Sequence, residues 1–377
     1  MIHFDFEKDC YSCGACGDSC PADAISYNEQ LHPVVDLEKC LHCGLCEKVC
    51  IHLNQPQPAR TAWPQQGYVA KNRDDGQRKE SSSGGVFIRL AQAVLNAGGY
   101  VCGCVYDEAQ MPRHVVAKDL DTCRKMMGSK YVKSDVQGCI AAMKELTKAG
   151  HKVLFTGVPC QIAAVKTCVK SENLLTAAVV CHGSVERSVW RRFLAEEAPA
   201  GTIASVTMRD KSRGYLNYGL KLTFRDGTER ITYRNTDGYF LKSFTDGLLE
   251  RDRCLSCVYK GHKINSDLLL GDAWGMERIF PEFTDNMGCS AVLALTPAGE
   301  ALWQEVLAQF HVKTLDSTTL INANQRILTP APVNPFRNSF RRKLEKESTN
   351  IHQLTKRYAQ VTLVNRVKWK LAKIFCR

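Results

Sequence analysis

One stretch of this chain recurs thirty residues later with every cysteine in register. "CYSCGACGDSCP" supplies Cys10, Cys13, Cys16 and Cys20, followed by Pro21, and "CLHCGLCEKVC" supplies Cys40, Cys43, Cys46 and Cys50. Each run reads C-x2-C-x2-C-x3-C, the spacing with which bacterial two-cluster ferredoxins hold iron–sulfur cubanes. Three thiolates two residues apart wrap one corner of a cubane, and the fourth of each run reaches the other cluster. The pattern therefore assigns Cys10, Cys13, Cys16 and Cys50 to one 4Fe-4S cluster, and Cys40, Cys43, Cys46 and Cys20 to a second. Gly14, Gly17 and Gly44 fit a backbone that must come close to inorganic sulfide. Zinc is the competing reading of paired cysteines, but zinc sites set their CxxC pairs further apart. The expected module is an α+β, ferredoxin-like two-cluster domain over residues 1–58.

Nineteen cysteines in 377 residues also raise the alternative of a secreted disulfide scaffold. The opening "MIHFDFEKDC" has no basic segment followed by an apolar one, as a signal peptide would. No apolar run approaches the ~20 residues of a membrane-spanning helix. The expectation is a cytoplasmic protein of a reducing, oxygen-poor cell. The net charge of +11 is uneven: residues 337–377 hold twelve Lys/Arg against two acids, and the rest of the chain 38 against 37. The body is thus no nucleic-acid binder by charge, and the basic signal belongs to the tail.

"LNQPQPARTAWPQQG", at 53–67, reads as a linker. Beyond it helical and strand patterns alternate. "GGVFIRLAQAVLNAGG" is a helix opened by "SSS" and closed by Gly98 and Gly99. "YVCGCVY" is a strand, "VQGCIAAMKELTKAG" a helix, "HKVLF" a strand, "CQIAAVKTCVK" a helix and "LLTAAVV" a strand. This alternation predicts an α/β body with a largely parallel sheet over residues 68–335. From 202 onward the pattern is strand-rich, with "TIASVTM", "YGLKLTF" and "TERITY" around a "DG" turn. "DLLLGD" and "SAVLALT" then precede the helix "PAGEALWQEVLAQF".

Two polar loops interrupt this body. "SSSGGVF", at 81–87, sets hydroxyls and two glycines at a helix start, where N–H groups and the dipole favour an anion; a plain N-cap explains the same residues. "GSKYVKSD", at 128–135, adds Lys130, available to a phosphate. Neither is G-x-G-x-x-G, so a Rossmann site is not indicated. Cys160, in "TGVPCQIAAV", and Cys181, in "VVCHGS", each end an apolar strand, and "RDRCLSCVYKG" adds Cys254 and Cys257. Residues at the C-terminal ends of neighbouring strands can converge, and these four cysteines would serve one cluster. Core packing is the alternative for each single cysteine. Cys102, Cys104, Cys123, Cys139, Cys168, Cys289 and Cys376 lack such spacing or position and read as packing residues.

"SSSGGVF", "GSKYV", "GVPCQIA", "CHG", "MRDK", "CLSCVYKG" and "DLLLGDAWG" occur in this order across residues 68–296. In this the chain resembles the coenzyme F420 hydrogenase/dehydrogenase beta subunits, a set related to hydroxymethyl chlorophyllide reductase. It is also similar to ferredoxin-fused versions found near bacterial polysaccharide pyruvyl transferases. The resemblance implies an α/β flavin-binding body carrying FAD beside a third 4Fe-4S cluster. It puts that cluster on Cys160, Cys181, Cys254 and Cys257. It puts the flavin loops on Ser82, Ser83, Gly84 and Gly85 and on Ser129, Lys130 and Tyr131. Nothing in the chain marks a hydrogen-splitting partner, so the deazaflavin specificity does not carry over.

The implied activity is that of an iron–sulfur flavoenzyme. A ferredoxin or other low-potential donor would feed three clusters, and FAD would reduce a small-molecule or glycan substrate. The rival runs in reverse, with reduced F420 oxidised at the flavin and electrons leaving through the ferredoxin module. His182 and Lys130 are the candidate proton donors, with His182 also placed to support the cluster; Asp272 and Trp274 either shape the pocket or only pack. In the tail, 336–377, "VNRVKWKLAKIFCR" sets Val364, Val367, Leu371, Ile374 and Phe375 on one helical face with bases on the other. That pattern fits a basic amphipathic helix for a membrane surface or a protein partner, and equally an ordinary surface helix.

Overall fold

The computed structural model describes residues 2–346 and 348–359. The amphipathic segment at 364–375 and Cys376 lie outside the described residues. At the N-terminus the thirty-residue repeat is also a repeat of backbone conformation. Ser12 and His42 take φ of 47° and 52°, and Gly14 and Gly44 follow at 78° and 73°. Each glycine turns the chain into a four-residue helix, Ala15–Asp18 and Leu45–Lys48. A short antiparallel hairpin, β1 (Ile25–Tyr27) and β2 (Pro33–Val35), lies between them. Two of the glycines also meet protein neighbours closely. A Cβ on Gly14 would stand 2.8 Å from Val136 Cγ2, and one on Gly17 2.5 Å from the Tyr27 hydroxyl. Their small size makes room for protein neighbours.

The following strands are β3 (Gln66–Asn72), β4 (Tyr100–Tyr106), β5 (Pro112–Ala117), β6 (Val153–Gly157), β7 (Leu174–Val179), β8 (Ile203–Asp210), β9 (Gly219–Phe224), β10 (Glu229–Tyr233), β11 (Leu268–Asp272), β12 (Ser290–Ala294) and β13 (Phe310–Asp316). Eight of them form one sheet in the order β13-β3-β12-β11-β7-β6-β4-β5. Only β4, β6, β7 and β11 run parallel, and the remaining junctions are antiparallel. The sheet is therefore mixed rather than largely parallel. Connection length is one reason: β4 returns as β5 through a tight turn closed by Asp107 N donating to Met111 O at 3.0 Å, too short for the crossover that parallel neighbours need. The central strands are buried on both faces, and alternate residues serve opposite layers. Val153 and Phe155 pack in the layer of helices Cys139–Lys148 and Pro159–Cys168. Leu154 packs in that of Val86–Asn96 and Pro297–Val306.

Strands β8, β9 and β10 form a separate antiparallel meander whose Asp226–Gly227 turn uses φ of 85° at Gly227. Its core is shared with helices Arg187–Glu197, Tyr239–Thr245, Arg337–Leu344 and Ile351–Ala359. Phe340, Leu344, Ile351 and Leu354 are buried there with Trp190 and Phe240. Helices Arg337–Leu344 and Ile351–Ala359, expected as the start of a basic tail, therefore pack as part of the body, because each has its own apolar stripe. Among the described residues no helix is long and apolar enough to cross a membrane.

The N-terminal module sits against the body. Tyr11, Ala15 and Ile51 join the same apolar core as Phe155 and Ile162. The linker is held too: Ala59 N donates to His262 O at 2.7 Å, and Trp63 packs edge-on against His262. Helix Cys139–Lys148 begins behind Gly138 with no cap of its own. Asp18 of the N-terminal module supplies one, accepting from Gly138 N at 2.8 Å and Ile140 N at 2.9 Å. Asp18→Ala is expected to cost about 1–2 kcal/mol and to speed proteolysis in the 53–67 linker. A variant as stable and protease-resistant as the parent would show that this cap does not hold the module.

Candidate functional site

The C-terminal ends of the parallel strands open on one cleft of about 410 Å³. Pro159 begins the helix after β6, where its fixed φ suits the first turn, and this presents Cys160 at the strand end. Cys181 follows β7, the parallel neighbour of β6. Cys254 lies on the short helix Asp252–Leu255, with Cys257 just beyond it. All four cysteines line the cleft. Burial pushes the Cys181 thiol up to about 11 and raises that of Cys257 as well, so a bound cationic centre would be needed to keep them as thiolates.

Two smaller cavities lie in the N-terminal module. One is lined by Cys10, Cys13, Cys16 and Cys50, the other by Cys20, Cys40, Cys43 and Cys46. Each takes three cysteines from one run and the fourth from the other. In the N-terminal module each set of four thiols lines a small space, and in the cleft the four thiols line part of a larger one. Among the described residues no three His, Cys, Asp or Glu side chains close on a single metal ion. A four-iron cubane takes four cysteines, the number each of these sets offers. Cys43 is exposed, whereas Cys10, Cys16 and Cys50 are buried.

Tyr11 lines both the buried N-terminal cavity and the cleft. Its ring meets Tyr259 edge-on at 5.0 Å and lies under the Arg253 guanidinium at 4.4 Å. Tyr259 donates its hydroxyl to Ile51 O at 2.6 Å. Arg251 donates to Ser12 Oγ at 2.7 Å, Cys10 O at 3.2 Å and His32 Nε2 at 3.0 Å. Burial and this guanidinium pull His32 down to about 4, so it stays neutral and accepts.

The two polar loops meet in the cleft. The hydroxyls of Ser82 and Ser129 lie 2.8 Å apart, and Ser83 donates to Cys289 O at 2.6 Å. The N-cap of helix Val86–Asn96 is Gly85, in the left-handed region and without a side-chain cap. The serines are therefore not the N-cap that would have explained them away. Gly84 does not line the cleft as expected of a cofactor loop: a Cβ there would stand 2.1 Å from Ala70 O, so it is a packing glycine. Lys130 also departs from expectation. Its Nζ donates to Met127 O at 2.9 Å and Met126 O at 3.3 Å, closing its own loop, and burial lowers its pKa. Tyr131 stacks on Phe244 at 4.7 Å. His182 Nε2 stands 3.0 Å from Glu250 Oε1, a carboxylate with no exposure, and burial raises the pKa of Glu250. Beside Cys181, the imidazole is placed to support the thiol set. Asp272 and Trp274 both line the cleft. Among the cysteines read as packing residues, Cys102, Cys123, Cys139 and Cys289 are buried. Cys104 instead lines the cleft, and Cys168 Sγ lies 3.6 Å from Ser19 Oγ of the N-terminal module.

The comparisons with known protein families cover the cysteine sets and leave out the loops of Ser82 and Ser129. Residues 150–318 match the C terminus of the coenzyme F420 hydrogenase/dehydrogenase beta-subunit family. This segment belongs to that family. Residues 9–53 match the 4Fe-4S dicluster domain. The chain is thus an iron–sulfur electron-transfer protein related to the F420 hydrogenase beta subunit. Cys160, Cys181, Cys254 and Cys257 all fall in the matched segment. No curated protein sequence matches the chain. Among solved structures, a chain of the F420-reducing [NiFe] hydrogenase complex from Methanosarcina barkeri, from a xenon-derivatised crystal, is similar at 17% identity and a TM-score of 0.49. That likeness covers 78% of this chain and 97% of the other.

Sequence reading missed the cations that build the site. Arg78 donates to Asp285 at 2.7 Å and to Gly288 O at 3.1 Å, fixing the start of the serine loop. Lys211 Nζ donates to Arg78 O at 2.7 Å and Met287 O at 2.9 Å, fixing its other side. "MRDK" marked Lys211 as part of a motif, but the motif did not show what it holds. Burial, with Arg209 and Arg78 nearby, lowers the pKa of Lys211 from 10.5 to about 8. Between those values the unfolded chain binds more protons than the folded one, so stability rises with pH. The denaturation midpoint should therefore increase from pH 7.5 to 10 more steeply in the parent than in Lys211→Met. Equal slopes would show that burial costs this ammonium nothing.

Proposed function

We propose that the chain is an iron–sulfur flavin-dependent reductase. A ferredoxin or other low-potential donor gives up electrons at the N-terminal module, and a substrate bound in the cleft receives them from FAD. The observation that carries this reading is the shared lining of one cleft. The Ser82–Ser129 loops and the thiols of Cys160, Cys181, Cys254 and Cys257 face the same space, and Tyr11 joins that space to the cavity of Cys10, Cys13, Cys16 and Cys50. When bound, clusters supply single-electron transfer and a flavin converts it to two-electron chemistry.

The chain's own residues give this reading an order. The exposed Cys43 puts the set with Cys20, Cys40 and Cys46 on the outer side. The buried set follows, gripped by Arg251 and Arg253. Cys160, Cys181, Cys254 and Cys257 come last, at the strand ends. Ser82, Ser83, Ser129 and Tyr131 line the cofactor space, and His182 with Glu250 positions the strand end at Cys181. A small molecule or a glycan intermediate of polysaccharide assembly is the substrate class. A cytoplasmic location, with contact at the inner membrane face through the segment after 359, completes the reading. Reduced F420 that bleaches on mixing with the purified enzyme would instead favour the reverse direction.

Cys160→Ser tests the third thiol set. Anaerobically purified parent protein should carry about twelve irons, four per cluster, with one FAD. The variant should lose up to about four of them, keep the N-terminal pair, and fail to pass electrons from reduced ferredoxin to flavin, although a small chemical donor still reduces the flavin. Cys168→Ser, at the far end of the same helix, should keep all its iron. Full iron and ordinary ferredoxin-driven flavin reduction in Cys160→Ser would return this cysteine to the core.

A further inference from the structure

The cleft is lined by a cation that the described residues satisfy only in part. Arg209, at the end of β8, is 6% exposed. Its Nη1 donates to Asp272 Oδ2 at 2.7 Å. The rings of Tyr218, Tyr215 and Trp274 lie 4.4, 4.9 and 5.5 Å from the guanidinium carbon. Nε and Nη2 have no hydrogen-bond partner among the described residues. Buried donors without acceptors are costly, and the ionised state is secure here, because Asp272 raises the pKa against burial. Nε and Nη2 form the side edge of the guanidinium fork, two parallel donors spaced for two oxygens of one anion.

The place of this edge narrows the anion. Asp272 lies opposite Ser290 in the β11–β12 pair, and Ser290 Oγ accepts from Gly84 N at 2.9 Å. Lys211, two residues after Arg209, reaches Ser83 O at 3.4 Å. Arg209 therefore belongs to the serine-loop end of the cleft. There the eleven-residue helix Val86–Asn96 starts uncapped, and the Ser82 and Ser129 hydroxyls meet. A helix N-terminus, two hydroxyls and an unsatisfied guanidinium together fit a phosphate.

We propose that Arg209, clamped by Asp272, binds a phosphate of the nucleotide part of the cofactor, together with the start of helix Val86–Asn96 and the Ser82–Ser129 pair. The proposal rests on the reading of this cleft as a flavin-nucleotide site. It assigns the serine-loop end to the phosphates and leaves the cysteine end for the reacting ring.

The test uses the full chain stripped of flavin, with ADP as a phosphate probe followed by calorimetry and riboflavin as a ring probe followed by fluorescence quenching. Loss of a charge-assisted bidentate contact in Arg209→Gln should weaken ADP binding about 10- to 100-fold, with riboflavin affinity unchanged. Arg209→Lys keeps charge and bulk, and carries the test if the Gln variant does not fold; it should weaken ADP about 10-fold. An unchanged ADP affinity, or an equal loss for ADP and riboflavin, overturns the assignment. A parent protein that binds ADP through Arg209 but no flavin would overturn the flavin reading and leave the phosphate site standing. A parent that binds riboflavin, with ADP affinity indifferent to Arg209, would do the reverse. A parent that binds neither overturns both.

Discussion

The grip of Arg251 and Arg253 on the Cys10–Ser12 loop is the contact on which the arrangement depends. Both arginines are buried, and both come from the arm that also carries Cys254 and Cys257. Their donors go to Cys10 O, Ser12 Oγ and His32 in one case and to the Tyr11 hydroxyl and Asp9 in the other. Hydrogen bonds of this charged kind contribute about 1.5–3 kcal/mol each. One arm thus holds two of the cleft's thiols and at the same time fixes the N-terminal module. The distance between the two thiol sets is set by a rigid joint rather than by the linker.

The mixed sheet explains why the cleft forms where it does. Four parallel strands deliver their C-terminal ends to one side, where Cys160 opens the helix after β6, Cys181 follows β7 and Asp272 ends β11. Antiparallel β12 and β3 continue the sheet past β11 and bring Ser290 and Ala70 under the serine loop. Gly84 is the point of closest approach, where only a glycine lets the loop sit on strand backbone. The loop's position is then fixed by Arg78, Asp285 and Lys211, none of which lines the cleft. Organisation of this kind spends no binding energy on ordering the loop when a ligand arrives.

Much of this was legible from the chain alone, and each success had a local cause. The cysteine spacing is a local constraint, so the repeat and its two thiol sets follow from positions in the sequence. Period-2 and period-3.6 patterns gave strands such as β6, β7 and β11 and helices such as Val86–Asn96, because these elements bury regular faces. Motif order singled out Ser82, Ser129, Cys160, Cys181, Cys254 and Cys257, which the fold brings to one cleft.

What the tertiary structure decided is everything that depends on partners far apart in sequence. Whether a strand pairs parallel or antiparallel is set by its neighbour, so apolar runs could not show the mixed sheet. Lys130 looked free as a sequence letter, and its ammonium turned out to be held by carbonyls of its own loop. Gly14 and Gly84 also lie close against Val136 and Ala70, residues that no local pattern links to them. Arg209 was one base among fifty Lys and Arg; only folding brings Asp272 to one of its nitrogens and aromatic rings to its faces, with no acceptor among the described residues at its remaining edge. The sequence determined the two N-terminal cysteine sets that the 4Fe-4S dicluster match spans, because their pattern is one of local spacing. The fold determined which charges are paired among the described residues and which are not, because pairing is a property of space.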